Sequence, residues 1–308
     1  MHVRPILLPE KISHPNVPGS GPLLSVQGLS KHFQQFSSGF IRRVQGITKA
    51  VDNISFNLAQ GEALGLVGES GCGKTTTARC ILRAFAPTAG TILFQMPDGR
   101  RVDLATLSKR ALSPIRQHAQ MIFQDPYSSL NPRMPVHDII AEPLIIHRLA
   151  NARERDERVA EIMARVGLAP DHRFRFPHAF SGGQRQRIGI ARALIMRPSL
   201  LVCDEATSAL DVTVQAQILD LLQTLQREFK LTYLFVAHNL DVVRGFCHRV
   251  AVMRQGRILE IAPTSELFNA PQHLYTKILL SAMLSPDPDI PMNRHLTEQL
   301  AQLDRLAP

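Results

Sequence analysis

Residues 68–75 read Gly-Glu-Ser-Gly-Cys-Gly-Lys-Thr and fit the pattern G-x-x-x-x-G-K-[ST] at every defined position. Glycines let a loop wrap closely around a polyphosphate with its amide N–H groups pointing inward. Lys74 can reach the β- and γ-phosphates, and the Thr75 hydroxyl can ligate Mg²⁺. The pattern therefore predicts a nucleotide-binding loop, and its residues are Gly68, Glu69, Ser70, Gly71, Cys72, Gly73, Lys74, Thr75 and Thr76.

The segments on either side of this loop fit the same chemistry. Residues 63–67 form a short apolar run that is typical of a buried strand. Residues 76–82 have helical composition, and Pro87 ends that pattern. A strand, a glycine loop and a helix N-terminus together place positive potential at the phosphates. A glycine-rich turn that fits by chance is the alternative, and the agreement of both flanks argues against it.

A second strong signal is the pair Asp204-Glu205, which follows the apolar residues 200–203. An acidic residue at the end of such a strand holds Mg²⁺ in nucleotide-hydrolysing proteins with a phosphate loop. A second carboxylate beside it can take a proton from an attacking water. The alternative is that the two acids cap the next helix, but the carboxyl end of a buried strand places them beside the phosphates.

Three further features are weaker evidence for a functional site when each is considered alone. Residues 181–184, Ser-Gly-Gly-Gln, combine a glycine turn with a helix start and are a second possible anion site. Gln124 and His238 each follow a predicted strand. A polar residue in such a position is more often structural than catalytic, so their assignment depends on the rest of the pattern.

Strands and helices alternate along most of the chain, which predicts an α/β fold with a mostly parallel core sheet. Earlier segments with alternating apolar residues, 23–33 and 51–58, predict an antiparallel β flank. Residues 136–168 are expected to be helical and to form an insert. Later predicted elements are helices over 182–196, 212–229 and 272–284, and strands over 232–237, 250–253 and 258–261.

Composition limits the class of protein. Hydrophobic residues make up 44% of the 308 positions, and no apolar run approaches the roughly 18 residues that span a bilayer. The N-terminus shows no secretory signal, so we expect a cytoplasmic protein with four reduced cysteines that serve mainly in packing. The formal charge is +9, but there is no dense basic run with interleaved aromatics, so nucleic acid is not expected as a partner.

Taken together, these residues resemble the ABC-type ATPases. The phosphate loop at 68–75 is followed in order by Gln124 in the Q-loop position, the signature 181–184, the Walker B strand 200–204 with Glu205, the D-loop 208–211 and the switch histidine His238. The resemblance covers roughly residues 24–284. It implies a P-loop NTPase fold of the ABC type with a helical signature subdomain.

The resemblance also implies roles for individual residues. ATP and Mg²⁺ would be the ligands, and two such domains would sandwich two ATP molecules head to tail. Lys74, Gln124, Glu205 and His238 would be catalytic, with Glu205 as general base, and Thr75, Gln124 and Asp204 would hold the metal. Ser181, Gly182, Gly183, Gln184 and Asp211 would contribute to nucleotide binding. The adenine-stacking aromatic of the family falls on Phe33, with Phe36 and Phe40 close by.

Four stretches narrow the resemblance to the ATPases of dipeptide, oligopeptide and nickel importers. They are the Q-loop region 123–133, the segment 180–187, the tail 272–276 and the loop 33–49, which resembles the second ATPase subunit of such systems. Two integral-membrane permease subunits, a second ABC ATPase and, indirectly, an external binding protein would be the partners. The chain would lie peripherally on the cytoplasmic face of the inner membrane.

The chain departs from the family pattern at three places. Ala206 stands where a proline often follows the glutamate, and Asn239 replaces the usual aspartate after His238. No cysteine follows Cys247, so the cysteine cluster of the subfamily is missing and no iron–sulfur centre is expected.

Several alternatives stay open at this point. A soluble ABC ATPase that acts on DNA or ribosomes is the second hypothesis, although the chain lacks sustained heptads and a second set of motifs. A third is an ABC half with a degenerate site. Peptide is the default cargo, while nickel, sugars and antibiotics remain alternatives, and a paralogous second ATPase is favoured over a second copy.

The expected organisation has three parts. An extended arm covers residues 1–22, and the ABC ATPase domain covers 23–284 with its helical subdomain at about 125–196. A C-terminal tail covers 285–308.

Overall fold

The computed structural model describes residues 21–36, 44–125, 127–208 and 210–281, and of residues 36, 44 and 45 it describes the backbone only. The predicted arm, apart from its last two residues, and the predicted tail over 285–308 lie outside these ranges. So does the centre of the loop expected between residues 33 and 49.

The larger sheet has six strands in the order β10-β9-β3-β8-β7-β6. All neighbouring strands are parallel except β9 and β10, which confirms the predicted mostly parallel core. Every residue of β3, β7 and β8 is buried, as expected for strands covered on both faces. The strands are β3 (Ala63–Val67), β6 (Ala119–Ile122), β7 (Leu200–Asp204), β8 (Thr232–Val236), β9 (Arg249–Arg254) and β10 (Arg257–Pro263).

The second sheet confirms the predicted antiparallel flank. Its strands are β1 (Leu24–Phe36), β2 (Val44–Leu58), β4 (Ala89–Gln95) and β5 (Arg101–Asp103), in the order β2-β1-β4-β5. β1 and β2 are longer than predicted because their backbone pairing continues beyond the buried alternating residues. Phe33, for example, pairs with Thr48, and both are exposed.

Helices surround the two sheets. They are α1 (Lys74–Ile81), α2 (Lys109–Arg116), α3 (Val136–Ile146), α4 (Ala152–Arg165), α5 (Gly182–Leu194), α6 (Val212–Phe229), α7 (Leu240–Phe246), α8 (Thr264–Asn269) and α9 (Leu274–Ser281). Two short 3₁₀ turns, Pro170–Phe174 and Pro177–Ala179, precede α5. Within the described ranges, no helix combines the length and the apolar character that crossing a bilayer requires.

The region 136–168, predicted as one helical insert, consists of two helices. α3 ends near Arg148, which has a φ of +54°, and α4 starts at a capping box formed by Asn151 and Glu154. In a capping box each side chain accepts a hydrogen bond from the other residue's backbone, which defines a helix start. Val159, Ile162 and Met163 follow the helical spacing i, i+3, i+4 and are buried on one face of α4.

The core lies on both faces of the parallel sheet, and β3 shows how it is divided. Leu64 and Leu66 point into the cluster shared with the antiparallel sheet, while Ala63 and Val67 point into the cluster formed with the helices. Because both faces of β3 are packed, the loop that follows it starts from a rigid base. All four cysteines are buried and unpaired, consistent with their predicted role in packing.

Candidate nucleotide-binding site

The phosphate loop runs from the end of β3 to the start of α1. Gly68 and Gly73 have φ values of +149° and +110°. A Cβ at Gly68 would lie 2.0 Å from the Met253 carbonyl oxygen, and one at Gly73 would lie 2.2 Å from that of Ala50. A Cβ at Gly71 would meet nothing within 4 Å. The loop is therefore held closely by β2 and β9 on one side and is open on the other, where a ligand can approach.

Lys74 folds back over this loop. Its Nζ donates hydrogen bonds to the carbonyl oxygens of Gly68 at 2.7 Å and Glu69 at 2.8 Å. The side chain is nearly fully buried, with 5% of the residue exposed, and the Cys72 Sγ lies 3.7 Å from Nζ. Burial raises the pKa of the Cys72 thiol, and the nearby ammonium offsets this rise only partly. The ammonium is thus held within the loop by two of its carbonyl oxygens.

The start of α1 provides the rest of the anion site. Its N-cap is Gly73, which has no side chain to occupy the first-turn amides, and no acidic residue lies in the first turn. Free N–H groups and the helix dipole favour an anion at this point. Ser70 is exposed and Thr76 is partly buried, so both are near the open side. A polyphosphate fits this arrangement.

Thr75 and Asp204 form the candidate metal site. The Thr75 hydroxyl donates a 2.9 Å hydrogen bond to Oδ1 of Asp204, which ends β7 and is 4% exposed. Among the described residues, no group of three His, Cys, Asp or Glu side chains could hold a metal. Besides the hydroxyl and this single carboxylate, a cation here would therefore need oxygens from phosphate, from water or from the side-chain amide of Gln124. That is the oxygen set Mg²⁺ prefers, so the residues fit the ion.

Burial also sets the protonation behaviour of Asp204. Desolvation raises the pKa of its carboxyl group, and the Glu205 carboxylate adds to the rise, while the Thr75 hydrogen bond and the nearby Arg79 and Lys74 oppose it. The ionised carboxylate is thus less favourable in the folded chain than in the unfolded chain. A bound metal would reverse that preference.

Glu205 connects two other predicted residues. Its Oε2 accepts a 2.8 Å hydrogen bond from Nε2 of Gln124 and lies 3.4 Å from Nδ1 of His238. These residues follow the neighbouring strands β7, β6 and β8, whose carboxyl ends meet at one sheet edge. Sequence spacing alone could not show this meeting, because Gln124 and Glu205 are 81 positions apart.

The backbone of Glu205 is unusual for a residue with a side chain. Its φ is +49°, in the left-handed region, and its N–H donates to the Val236 carbonyl oxygen at 3.0 Å. A conformation of this kind costs of order 1 kcal/mol or more in a non-glycine residue, and it tends to persist at functional sites. The strained turn directs Glu205 toward Gln124 and His238 rather than along the strand.

The signature residues form a separate cluster. Ser181 and Gln184 make a capping box at the start of α5, and Asp211 caps α6 through the Val214 N–H at 2.9 Å. A Cβ at Gly183 would lie 2.5 Å from Cγ1 of Val214, so the two helix starts are in contact. Gly182 adjoins Leu210 in the same cluster. Within the described part of the chain, the hydrogen bonds of Ser181, Gln184 and Asp211 stay in these two helix starts and do not reach the phosphate loop.

Phe33 lies on β1 beyond the buried core. The residue is 36% exposed, its ring packs edge-to-face on Phe85 with centroids 5.7 Å apart, and Nζ of Lys31 lies 4.9 Å from the ring centroid. It is available for stacking, and its role in binding adenine stays a prediction. The neighbouring candidates, the side chain of Phe36 and all of Phe40, fall outside the described residues.

A tyrosine that was not among the predicted site residues also hydrogen-bonds to the phosphate loop. Tyr275, on α9, accepts a 3.3 Å hydrogen bond from the backbone N–H of Glu69. The only signal for it was the likeness of residues 272–276 to importer ATPases. Their spacing does not reveal a contact across 206 positions.

We expect Asp204→Asn to raise the melting temperature of the nucleotide-free chain at neutral pH by a few degrees. The raised pKa means that the folded state holds the Asp204 proton more tightly than the unfolded state, so stability falls as pH rises above the unfolded pKa. Asparagine keeps the acceptor oxygen for Thr75 without the charge. Thermal melting in a chelator measures the effect.

The difference should disappear at acid pH, where the carboxyl group is neutral in both states. Asp220→Asn, an exposed change on α6, serves as the control. An unchanged or lower melting temperature for Asp204→Asn would contradict the stated effect of burial.

Comparison with known proteins gives the family. The ABC transporter family model matches residues 51–208. The chain is 50% identical over 273 residues to the oligopeptide transport ATP-binding protein OppF of Bacillus subtilis, covering 88% of this chain and 86% of that protein. It is also 50% identical over 275 residues to a putative peptide import ATP-binding protein of Brucella ovis, covering 89% of this chain and 83% of the relative.

A solved structure agrees with the fold. The dimeric ATP-binding cassette MJ0796, in a post-hydrolysis state bound to ADP and Pi, superposes with a TM-score of 0.67 at 26% identity. The match covers 78% of this chain and 98% of that one. The family match, the shared fold and the phosphate loop beside Asp204 and Glu205 lead to one conclusion: this chain belongs to the ATP-binding proteins of the ABC transporters and is an ATPase.

Proposed function

We propose that this chain is the energy-coupling ATPase of a membrane importer for peptides, which drives separate permease subunits. The observation that carries the proposal is the position of Gln124. Its side chain bonds the candidate general base Glu205, and its chain neighbour Phe123 lines an exposed cleft. One short segment therefore joins the nucleotide site to a surface where a permease can dock.

The proposed chemistry uses residues that the fold brings to one edge of the parallel sheet. Lys74 and the start of α1 would hold the phosphates, and Thr75, Asp204 and Gln124 would hold Mg²⁺, which would neutralise charge on the phosphate oxygens. Glu205 takes a proton from the attacking water, and His238 steadies the γ-phosphate. Glu205 and His238 also line a cavity of ≈ 130 Å³, which is large enough to hold a water molecule.

A second ATPase completes the site in this proposal. Ser181 and Gln184 are exposed, and their hydrogen bonds to each other lie within their own helix start, so they are free to meet a nucleotide held by another domain. The MJ0796 cassette is a dimer in its post-hydrolysis state, which supports the pairing of two such domains. We infer two ATP molecules between two domains arranged head to tail, the second domain being a paralogue rather than a copy of this chain.

The cleft beside Phe123 suits a permease segment with mixed apolar and acidic character. Its volume is ≈ 510 Å³, and Phe123 is 44% exposed. Arginines supply most of the charge around its apolar floor. Residues lining it include Arg79, Phe85, Arg116, Met121, Phe123 and Arg192. Docking there would place the chain peripherally at the cytoplasmic face of the inner membrane.

Peptide is the proposed cargo because the two relatives described above are an oligopeptide transport protein and a putative peptide import protein. An external binding protein would select that cargo and reach this chain only through the permeases. Purification from detergent-solubilised membranes should therefore recover two permease subunits and a related ATPase, identified by mass spectrometry. Recovery with ribosomal or DNA-associated proteins instead would overturn the proposal.

We expect Phe123→Ala to lower permease co-purification several-fold while ATP binding by the isolated chain is retained. The substitution removes an aromatic anchor, and such anchors often contribute about 2 kcal/mol or more to an interface. The amount of permease recovered per ATPase subunit is the measurement.

Ile47→Ala is the matched control, because Ile47 is 62% exposed on β2 of the other sheet. It should leave co-purification unchanged. Equal losses for both variants, or full recovery with Phe123→Ala, would show that the cleft is not the docking surface.

A further inference from the structure

The side chain of Tyr275 connects helix α9 to the phosphate loop. Tyr275 is 1% exposed, and its hydroxyl oxygen accepts the 3.3 Å hydrogen bond from the Glu69 N–H. The segment that carries it lies near the C-terminal end of the described chain, far in sequence from the loop. None of the roles assigned above uses this contact.

The peptide group that bonds to Tyr275 also forms a hydrogen bond with Lys74. The N–H of Glu69 and the C=O of Gly68 are two ends of the same peptide unit, and in a trans peptide they point in opposite directions. The Gly68 oxygen accepts from Lys74 Nζ at 2.7 Å, while the Glu69 N–H donates to Tyr275. The peptide is thus held at both ends, by Lys74 on one side and Tyr275 on the other.

Orientation of this peptide decides whether Lys74 is well placed. Glycine rotates easily, and Gly68 already has a φ of +149°. If the peptide turned over, it would present an N–H instead of a carbonyl oxygen to the ammonium, which is unfavourable. Because the hydroxyl accepts from the Glu69 N–H, it opposes that rotation.

The position of Tyr275 is itself well determined. The Glu260 carboxylate, on β10, accepts the backbone N–H groups of Gln272 at 2.9 Å and His273 at 3.0 Å, just before α9. The Arg254 guanidinium lies 5.1 Å from the centre of the Tyr275 ring. Burial, with a contribution from the Glu69 carboxylate, raises the pKa of Tyr275 to about 12, so the hydroxyl keeps its proton at neutral pH.

We propose that Tyr275 is a positioning residue for the phosphate loop, which fixes the Gly68–Glu69 peptide so that Lys74 is in place before ATP arrives. Its effect is on nucleotide affinity and not on the chemical step. The inference requires only that the chain binds ATP, and it is independent of the cargo and of the permeases.

The test compares Tyr275→Phe with the unmodified full-length chain. Phenylalanine keeps the buried ring and removes only the hydroxyl. The dissociation constant for Mg-ATP, measured by calorimetry, should rise about three- to tenfold, as expected for one lost hydrogen bond to a binding loop. In the assembled transporter the KM for ATP should rise while kcat is unchanged, a split that a general loss of folded protein would not produce.

Tyr233→Phe is the matched control. Tyr233 is also fully buried, and its hydroxyl donates to the Leu222 carbonyl oxygen at 3.0 Å, away from the loop. This variant should lower the melting temperature without changing ATP affinity. An equal loss of affinity in both variants, or none in Tyr275→Phe, would overturn the proposal.

A second variant tests whether Glu260 positions Tyr275 by fixing the start of α9. Glu260→Gln removes the charge that holds the start of this helix, so it should weaken ATP binding in the unmodified background and add little in the Tyr275→Phe background. Additive effects would overturn the proposed route. If the unmodified chain bound no ATP, the ATPase assignment itself would be overturned. Normal ATP binding by both tyrosine variants is a different result, which would overturn only the role proposed for Tyr275.

Discussion

Replacing Glu205 with glutamine should lower the rate of ATP hydrolysis by about a hundredfold or more while ATP still binds. Glutamine keeps the size of the side chain and an oxygen that can accept from Nε2 of Gln124, the partner at 2.8 Å. It cannot take a proton from water, so the loss falls on the chemical step. Phosphate release by the assembled transporter and ATP binding by the isolated chain are the two measurements.

Glu228→Gln is the control for this experiment. Its carboxylate pairs with Arg165 and not with a residue of the site. It should hydrolyse ATP at the unmodified rate. A Glu205→Gln variant with full hydrolysis would remove Glu205 from the role of general base, and one that no longer binds ATP would show that the carboxylate acts in binding instead.

Replacing Lys74 with alanine should weaken ATP binding by at least about a hundredfold. The ammonium is the positive charge held within the phosphate loop, and its bonds to phosphate oxygens would be charge-assisted. Removal also leaves the carbonyl oxygens of Gly68 and Glu69 without their donor, so the loop loses its internal support. Calorimetric titration with Mg-ATP and with Mg-ADP measures the loss, which should be present for both nucleotides.

Lys109→Ala, an exposed change in the first turn of α2, is the control and should leave both affinities unchanged. Thermal melting of the free Lys74→Ala chain separates loss of binding from loss of the fold. A folded Lys74→Ala chain that binds ATP with normal affinity would contradict the role given to this lysine.

Features that depend on adjacent residues could be predicted from the sequence. The phosphate loop is one, because eight consecutive positions specify both the turn and its chemistry. The buried strands β3 and β7 are another, since strands covered on both faces read as unbroken apolar runs. The alternation of strands and helices was enough for the mostly parallel sheet and its antiparallel flank.

Other features of the fold could not be predicted, because packing or strand pairing determines them rather than a local residue pattern. The break between α3 and α4 depends on the Asn151 capping box, which the apolar periodicity of the region obscures. The extra length of β1 and β2 comes from strand pairing, which does not require alternating apolar residues. Elements such as β5, with three residues, and α8, with six, are too short to show a period.

Residue types and their order along the chain define which chemical groups this protein carries. The packing of the folded chain defines which of these groups meet. Gln124, Glu205 and His238 come together because the strands before them end at the same sheet edge, and Tyr275 reaches Glu69 because α9 packs back on the loop. The contacts of Gln124 and Tyr275 join residues that are 81 and 206 positions apart. They depend on the tertiary packing of distant elements, which local residue patterns do not specify.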